Sequence, residues 1–194
     1  MKGAMKALVA AAGACAVVFG LGAQEAQAQA VVGAELSFAS PVGDWLLEPG
    51  TGVGLQLRVG WEIPTLGVLF VQPEVVGGFW FFPSSDELQD VESIDLVGLT
   101  AGGGVRLTAG TNPEPSLFFH AGYGSIEGDG SDFTTFEDGL WIDAGLALSH
   151  PLSRTWRVGG QAAFHAIFHR EVSNPSLPDQ NKWISLGAHL SATF

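Results

Sequence analysis

The chain of 194 residues contains one cysteine and few basic residues. The cysteine, Cys15, lies in the N-terminal apolar segment, so the rest of the chain has no disulfide to stabilise it. Lysine and arginine together number 8 and aspartate and glutamate 20, which gives a net charge of −12 at pH 7. Because proteins bind nucleic acid through a basic surface that neutralises phosphates, this composition argues against a nucleic-acid partner.

After the N-terminal segment, the chain also has no long apolar run. No later stretch approaches the roughly 20 consecutive apolar residues of a membrane-spanning helix. The N-terminal segment has two lysines, then an apolar run, then alternating alanines and polar residues. This order is typical of a secretory signal peptide. We therefore predict a signal peptide over residues 1–30, cleaved after Ala28 or Ala30, and a single domain over residues 31–194.

The last twelve residues, 183–194, alternate between two kinds of side chain. One row is apolar and consists of Ile184, Leu186, Ala188, Leu190, Ala192 and Phe194. The other row is small or polar and consists of Ser185, Gly187, His189, Ser191 and Thr193. Because successive side chains of a strand point to opposite faces, this pattern predicts a strand with an apolar environment on one face and a polar one on the other.

Seven earlier segments alternate in the same way, which makes eight predicted strands. They lie at about residues 31–39, 53–63, 68–82, 97–107, 116–124, 140–149, 156–169 and 183–194. Most are near the roughly 9–11 residues that a tilted strand needs to cross a bilayer. Long loops near residues 40–50, 83–93, 125–139 and 170–181 alternate with short turns. This alternation is typical of outer-membrane barrels, which keep short turns on one side and long loops on the other.

Periodicity alone does not decide which row faces the inside, since a soluble lipocalin-like barrel would place its apolar row there. The polar row is rich in glycine, the apolar row is nearly free of charge, and the chain ends on Phe194. These features favour an all-β fold, an eight-stranded antiparallel up-and-down transmembrane β-barrel with the apolar row facing lipid. Aromatic residues near strand ends are expected to form a girdle at the membrane interfaces. They are Trp45, Trp61, Phe81, Phe82, Trp156, Phe168 and Trp183.

The polar row carries charged residues that would lie in the barrel interior. They are Glu35, Arg58, Glu62, Glu74, Arg106, Asp143 and Arg157, accompanied by His120, His165 and His189. Buried charges require partners, and eight strands leave an interior that side chains fill. We therefore predict a lumen charge network of carboxylate–guanidinium pairs that plugs the barrel. No metal site or cofactor is expected, because no further ligands are spaced to converge on the histidines.

Several short stretches carry a resemblance to a known family. They are residues 34–38 leading into 40–44, residues 72–74, residues 120–124 and the terminal Phe194. With these residues the chain resembles the small outer-membrane β-barrels that include the transmembrane domain of OmpA and OmpX. The resemblance implies a non-enzymatic structural or surface-interaction role (adhesion or resistance) in the bacterial outer membrane, after Sec-type export. It also implies that the barrel-assembly machinery reads the last strand, through Gly187, Leu190 and Phe194.

Two other functions stay open as alternatives. Residues 169–174 are similar to the histidine–serine–asparagine motif of lipid A deacylases, in which a histidine base activates a serine nucleophile. Here three residues separate His169 from Ser173, whereas the family has one, so nucleophile and base are out of register. The second alternative is a narrow channel for small solutes. The expected partners are outer-membrane lipid and lipopolysaccharide, and a surface ligand at the acidic outer loops.

Overall fold

The computed structural model describes residues 28–43, 45, 49–65, 67–84, 95–130, 133–169 and 179–194. The alternating segments form eight antiparallel strands. They are β1 (Gln29–Val42), β2 (Gly52–Pro64), β3 (Leu69–Phe82), β4 (Asp95–Ala109), β5 (Glu114–Gly130), β6 (Phe133–Pro151), β7 (Trp156–His169) and β8 (Gln180–Thr193). Among the described residues, no helix has the length and apolar character needed to cross a bilayer.

Each strand pairs with the next one in sequence, and β1 pairs with β8, so the sheet closes into a barrel. At the closing seam, Ala30 and Phe194 exchange two backbone hydrogen bonds of 3.2 and 2.9 Å. Following paired residues around the barrel from Val32 leads back to β1 at Val42, ten residues further along. For eight strands, this stagger corresponds to strands tilted by roughly 40° from the barrel axis. The predicted fold class is confirmed.

The two ends of the barrel differ in their connections. Three short connections, 65–68, 110–113 and 152–155, join β2 to β3, β4 to β5 and β6 to β7 at one end, where Ala30 and Phe194 also meet. We call this the turn end and the opposite one the loop end. The predicted signal peptide lies outside the described residues up to residue 27, and so do most of the predicted loops near 83–93 and 170–181.

The prediction of a loop over residues 125–139 is wrong. β5 extends to Gly130 and β6 begins at Phe133, and the two strands stay paired from Ser125 opposite Asp138 to Gly130 opposite Phe133. The acidic and glycine-rich composition suggested a loop. However, two adjacent antiparallel strands supply each other's backbone hydrogen bonds, so the hairpin continues where composition alone argues against a strand.

The exterior of the barrel is apolar and its interior is largely polar. On β1, Leu36 and Phe38 are 66% and 69% exposed, whereas Glu35 and Ser37 between them are each 3% exposed. Side chains of the other strands alternate in the same sense. A soluble lipocalin-like barrel would show the opposite arrangement. The exposed apolar row is the arrangement expected of a barrel surrounded by lipid.

Glycines allow neighbouring strands to approach closely on the inner face. A Cβ atom added to Gly104 would lie 2.0 Å from the carbonyl oxygen of Phe119, and one added to Gly122 would lie 2.1 Å from that of Ala101. Real side chains never come so close, so only glycine fits these inward positions. These two inward glycines therefore allow the close approach of β4 and β5.

Candidate functional site

The barrel interior contains three groups of side chains, which we name by position. The ionic layer, in the middle of the barrel, consists of Glu35, Arg58, Glu74, Arg106, His120 and Asp143. The aromatic plug, towards the loop end, consists of Trp45, Trp80, Phe82, Trp141 and Trp183. The turn-end cluster consists of Glu62, Glu114 and Arg157. All seven residues of the predicted lumen charge network lie in the ionic layer or in the turn-end cluster.

Glu74 on β3 is the centre of the ionic layer. Its carboxylate accepts a hydrogen bond from Arg106 Nε at 3.2 Å and another from Gln72 Nε2 at 2.7 Å. Arg58 Nε lies 3.9 Å from the same carboxylate, and His120 Nε2 lies 2.7 Å from it. The Glu74 side chain is fully excluded from solvent. Two arginines and a histidine therefore converge on one buried carboxylate.

His120 on β5 lies between two carboxylates. Its Nε2 is bonded to Glu74, and its Nδ1 lies 2.5 Å from Asp143 Oδ1. An ionised carboxylate can only accept hydrogen bonds, so both ring nitrogens of His120 must donate when both carboxylates are ionised. The ring is then a charged imidazolium. It provides the cation that links β3, β5 and β6 across the lumen.

With His120 charged, the ionic layer is electrically balanced. Its three acids, Glu35, Glu74 and Asp143, face three cations, Arg58, Arg106 and His120. A balanced set of charges is the condition under which burial in a low-dielectric interior is tolerated. Arg106 also lies 4.5 Å above the Phe118 ring, which adds a cation–π contact.

Glu35 is the acid of the ionic layer for which the described residues show no direct ion pair. Its side chain is buried, and Oε1 has no hydrogen-bond partner among the described atoms. It faces a small internal cavity that Arg58 also lines. Glu35 therefore lies near Arg58, as the predicted network requires, but the two side chains are not in direct contact.

Arg157 on β7 holds the turn-end cluster together. Its guanidinium donates to Glu62 on β2 at 3.0 Å and to Thr193 on β8 at 2.7 Å, and its Nε lies 3.0 Å from Glu114 on β5. The Arg157 side chain is 21% exposed, so this cluster meets solvent while the ionic layer does not. Four strands are joined across the turn end by one side chain.

Asp143, His165 and Ser185 form a second chain of polar contacts above the ionic layer. His165 Nε2 is hydrogen-bonded to Ser185 Oγ at 2.8 Å, and His165 Nδ1 lies 3.7 Å from Asp143 Oδ2. This order of groups is that of a hydrolytic triad. All three side chains are essentially inaccessible, and the ring of Trp183 stacks on His165 at 5.0 Å between centroids. Such a serine cannot meet a substrate in this conformation, so we interpret the group as structural.

The aromatic plug fills the lumen towards the loop end. Trp80, Trp141 and Trp183 are completely buried. The Trp80 and Trp183 rings lie 5.4 Å apart in an edge-to-face arrangement, and Trp45 closes over Trp183 at 6.4 Å. Trp45 Nε1 also donates to the backbone oxygen of Lys182 at 3.0 Å. Offset and edge-to-face contacts of this kind are the favourable geometries for aromatic pairs.

The plug depends on glycines opposite the tryptophans. A Cβ atom added to Gly54 would lie 2.2 Å from the Trp80 ring, and one added to Gly98 would lie 3.2 Å from Trp80 Cβ. Gly124 stands in the same relation to Ile167 and Trp141. Large rings on some strands therefore occupy space that glycine leaves on their neighbours.

Part of the predicted interfacial girdle is wrong. Trp45, Phe82 and Trp183 point into the lumen and are buried, whereas Trp156 and Phe168 are exposed on the outside as predicted. Position near a strand end suggests an interfacial role, but alternation assigns Phe82 of β3 and Trp183 of β8 to the inner face, and Trp45 folds inward from the connection after β1.

Other predicted residues have simpler surroundings. His169 Nε2 is hydrogen-bonded to Asn181 Oδ1 at 3.0 Å, and Ser173 lies outside the described residues. Gly187 faces Ser37 across the seam, while Leu190 and Phe194 are exposed on the outside, and their reading by the assembly machinery stays a prediction. Within the described ranges, no group of three or more histidine, cysteine, aspartate or glutamate side chains has metal-holding geometry.

Two residues of this interior were missing from the predicted network. His120 belongs to the predicted polar row but not to the predicted ion pairs, and Glu114 lies in the short turn predicted between the fourth strand (97–107) and the fifth (116–124). For His120, the sequence itself contains an indication of its role. The predicted network has four acids and only three arginines, so one more cation is required, and the row offered only histidines to supply it.

Comparisons with known proteins give matches of structure but not of sequence. No family model matches this chain, and no curated protein matches it significantly. Neisserial surface protein A matches with a TM-score of 0.53 and 13% identity, over 86% of this chain and 97% of that one. OprG from Pseudomonas aeruginosa matches with a TM-score of 0.52 and 11% identity, over 87% and 96%. A major outer membrane protein from Thermus thermophilus matches with a TM-score of 0.51 and 17% identity, over 87% and 100%.

Identities this low relate the proteins by fold alone. The matches nevertheless extend over nearly the whole of each partner and most of this chain. They agree with the closed eight-stranded sheet described above. The chain has the fold of the small outer-membrane β-barrel proteins.

Proposed function

We propose that this chain is a bacterial outer-membrane barrel that contacts an external partner protein and does not conduct solutes. The exposed apolar row supports the membrane location, because it would be costly in water over so large a surface. On this proposal the chain reaches the outer membrane after Sec-type export and insertion by the barrel-assembly machinery. Lipid and lipopolysaccharide then surround the apolar row.

The interior gives the reason to propose a non-conducting barrel. The aromatic plug and the ionic layer occupy successive levels of the lumen, and the largest plug side chains are completely buried. An eight-stranded barrel has room for side chains but not for an additional aqueous channel. A narrow channel would require several of these side chains to move together.

The observation that carries the surface-interaction role is the long β5–β6 hairpin. β6 is paired with β7 only up to Gly139, opposite His169, while residues 133–138 continue in pairing with β5. Among the described residues, no strand pairs with the other edge of this segment, and residues 170–178, which follow β7 in the chain, lie outside the described residues. An exposed strand edge presents backbone groups that an extended peptide can pair with. We therefore propose that the hairpin adds a strand from a partner protein.

Charge near the hairpin suggests which partner segment would bind. Asp95, Glu127 and Asp138 lie at the base of the hairpin, and no lysine or arginine occurs between Arg106 and Arg154. Complementary charge steers association and favours correct partners. The proposed partner segment is accordingly extended and carries lysine or arginine.

A peptide-binding screen tests this proposal. The barrel in lipid nanodiscs is screened against a displayed library of random peptides, beside a variant in which residues 127–136 are replaced by a two-glycine turn. We expect lysine- and arginine-containing peptides to be enriched by the natural chain and not by the shortened one. Retention of a heat-dependent mobility shift in gels confirms that the shortened barrel is folded. Equal enrichment by both proteins, or none by either, would remove the support for a hairpin-based role.

The lipid-hydrolase alternative has its own test. Mass spectrometry of lipid A from cells with and without the protein should show identical acyl chains on our proposal. Loss of an acyl chain only in the presence of the protein, and its restoration by Ser173→Ala, would establish the enzyme instead.

A further inference from the structure

A small cavity lies inside the ionic layer. Its volume is about 10 Å³, and its polar lining consists of Glu35, Gln56, Arg58, Arg106, His120 and Gln161. A space of about this size holds one water molecule if it offers two to four polar partners. It is too small for a sugar, an amino acid or any larger metabolite. The question is therefore which small species the lining would hold.

Four of the lining side chains each have a buried polar atom without a hydrogen-bond partner among the described atoms. Two of these atoms are donors, Nε of Arg58 and Nε2 of Gln56. The other two are acceptors, Oε1 of Glu35 and Oε1 of Gln161. Exposure of the four residues is between 3% and 9%, so bulk water does not reach them freely. A buried polar atom left in this state is unfavourable, and native proteins nearly always provide a partner for it.

We propose that the cavity is a binding site for a single water molecule that joins Glu35 to Arg58. A water molecule accepts two hydrogen bonds and donates two. The lining provides two donors, from Arg58 and Gln56, and two acceptors, from Glu35 and Gln161. One water molecule therefore matches the four unpartnered atoms in number and in kind.

The charges around the cavity argue against an ion in the same place. An anion would lie beside the carboxylate of Glu35, and a cation would lie beside the guanidinium groups of Arg58 and Arg106. The ionic layer is already balanced without another charge. A neutral molecule with both donors and acceptors is the species that fits.

The water site completes the ionic layer. Glu35 is on β1, Gln56 and Arg58 are on β2, and Gln161 is on β7. β8 and the closing seam lie between β7 and β1. The bound water thus connects strands on both sides of the seam from inside the lumen, and it connects Glu35 to cations that it does not touch directly.

Nuclear magnetic resonance of the ¹⁵N-labelled barrel in lipid nanodiscs tests the site. The side-chain amide protons of Gln56 should show a cross-peak to water whose sign in NOE and ROE spectra indicates a long-lived contact. Gln72 is the matched control, because it is also a buried glutamine of the inner face but donates directly to Glu74 at 2.7 Å. Its amide should show no such cross-peak. Absence of the Gln56 cross-peak, or an equal one at Gln72, would overturn the proposal.

A pair of variants places the water in this cavity. Val76 lines the cavity, so Val76→Ile adds a methylene group into it, whereas Val76→Thr keeps its volume. We expect the Gln56 cross-peak to disappear in Val76→Ile and to persist in Val76→Thr, with both barrels showing native strand resonances. Persistence in Val76→Ile would place the water elsewhere and refute the site. Replacing chloride by bromide should leave the Gln56 resonance unchanged, and a bromide-dependent shift would assign the cavity to an anion instead.

Discussion

The ionic layer and the aromatic plug lie on the same inward rows of the same strands. β3 carries Glu74 and, three inward positions later, Trp80. On β6, Asp143 and Trp141 are adjacent inward positions. Alternation along a strand therefore determines which side chains point inward. It does not determine whether those side chains are charged or aromatic. The change from charge to aromatic ring is set by individual residues and by the glycines opposite them.

The two regions are held together by different physics. In the ionic layer each charge depends on its neighbours, because a buried charge without a partner is strongly unfavourable. In the plug the indole nitrogens of Trp80, Trp141 and Trp183 have no hydrogen-bond partner among the described atoms. Apart from the hydrogen bond of Trp45 to Lys182, the plug is therefore stabilised by packing of large apolar rings. Substitutions in the ionic layer should consequently destabilise the barrel through lost charge balance. Substitutions in the aromatic plug should destabilise it through a steric clash or a cavity.

The largest effect is expected from Glu74→Leu. The change leaves Arg58, Arg106 and His120 without the carboxylate on which they converge. Removing one partner from a buried ion pair typically costs about 3–5 kcal/mol of unfolding free energy. Denaturant unfolding in lipid vesicles, followed by tryptophan fluorescence, measures the change.

Gln72→Leu is the control for this substitution. Gln72 lies on the same face of the same strand, is equally buried and bonds the same carboxylate, but it carries no charge. Its loss should cost about 1.5–3 kcal/mol, the typical contribution of a hydrogen bond to a charged group. Equal costs for the two variants would mean that Glu74 acts as an ordinary hydrogen-bond acceptor and that charge balance does not govern the layer.

A smaller effect is expected from Gly54→Ala in the plug. The new methyl group would lie 2.2 Å from the Trp80 ring, and overpacking of a filled interior costs about 1–3 kcal/mol. The same unfolding measurement detects it, and near-ultraviolet circular dichroism reports the displaced ring. In a Trp80→Leu background the cost of Gly54→Ala should largely vanish, since the two residues would no longer collide.

Gly77→Ala provides the comparison for the plug glycine. The nearest atom to a Cβ at Gly77 is the Thr100 carbonyl oxygen at 3.8 Å, an ordinary contact. This variant should be close to neutral. If both glycine substitutions were equally costly, the loss would come from strand backbone properties and not from the fit between Gly54 and Trp80.

Alternation in the sequence was sufficient to predict the barrel. In β2 every inward residue is polar or glycine and nearly every outward one is apolar, so the face of each residue follows from its position. Antiparallel neighbours joined by short turns then determine the strand order. The extension of the β5–β6 hairpin is not predicted, because the composition of residues 125–139 favours a loop and takes no account of strand pairing. Glycine and acidic residues are poor strand formers alone, but a paired neighbour compensates.

The sequence placed the charged residues on the correct face but did not give their partners. Glu74 and His120 are distant in sequence, and their contact depends on the stagger that brings β3 and β5 side chains to one level. The position of Trp183 was ambiguous for a different reason. A tryptophan near a strand end suits a membrane interface, and only the phase of alternation within β8 shows that it points inward.

The smallest effect is expected at the turn-end cluster, where the comparison extends from buried charges to hydrated ones. Arg157→Gln removes the cation shared by Glu62 and Glu114, but the Arg157 side chain is 21% exposed and water can hydrate the carboxylates left behind. Ion pairs that solvent reaches contribute about 1 kcal/mol or less, and 1 M salt shortens the screening length to about 3 Å. The cost of Arg157→Gln should therefore shrink in 1 M salt, whereas that of Glu74→Leu should persist because buried charges are screened much less. Measurement of both variants at low and high salt separates the two cases. A salt-independent loss at Arg157 as large as that at Glu74 would show that the turn end is as dry as the ionic layer, and the boundary between the two clusters would then disappear.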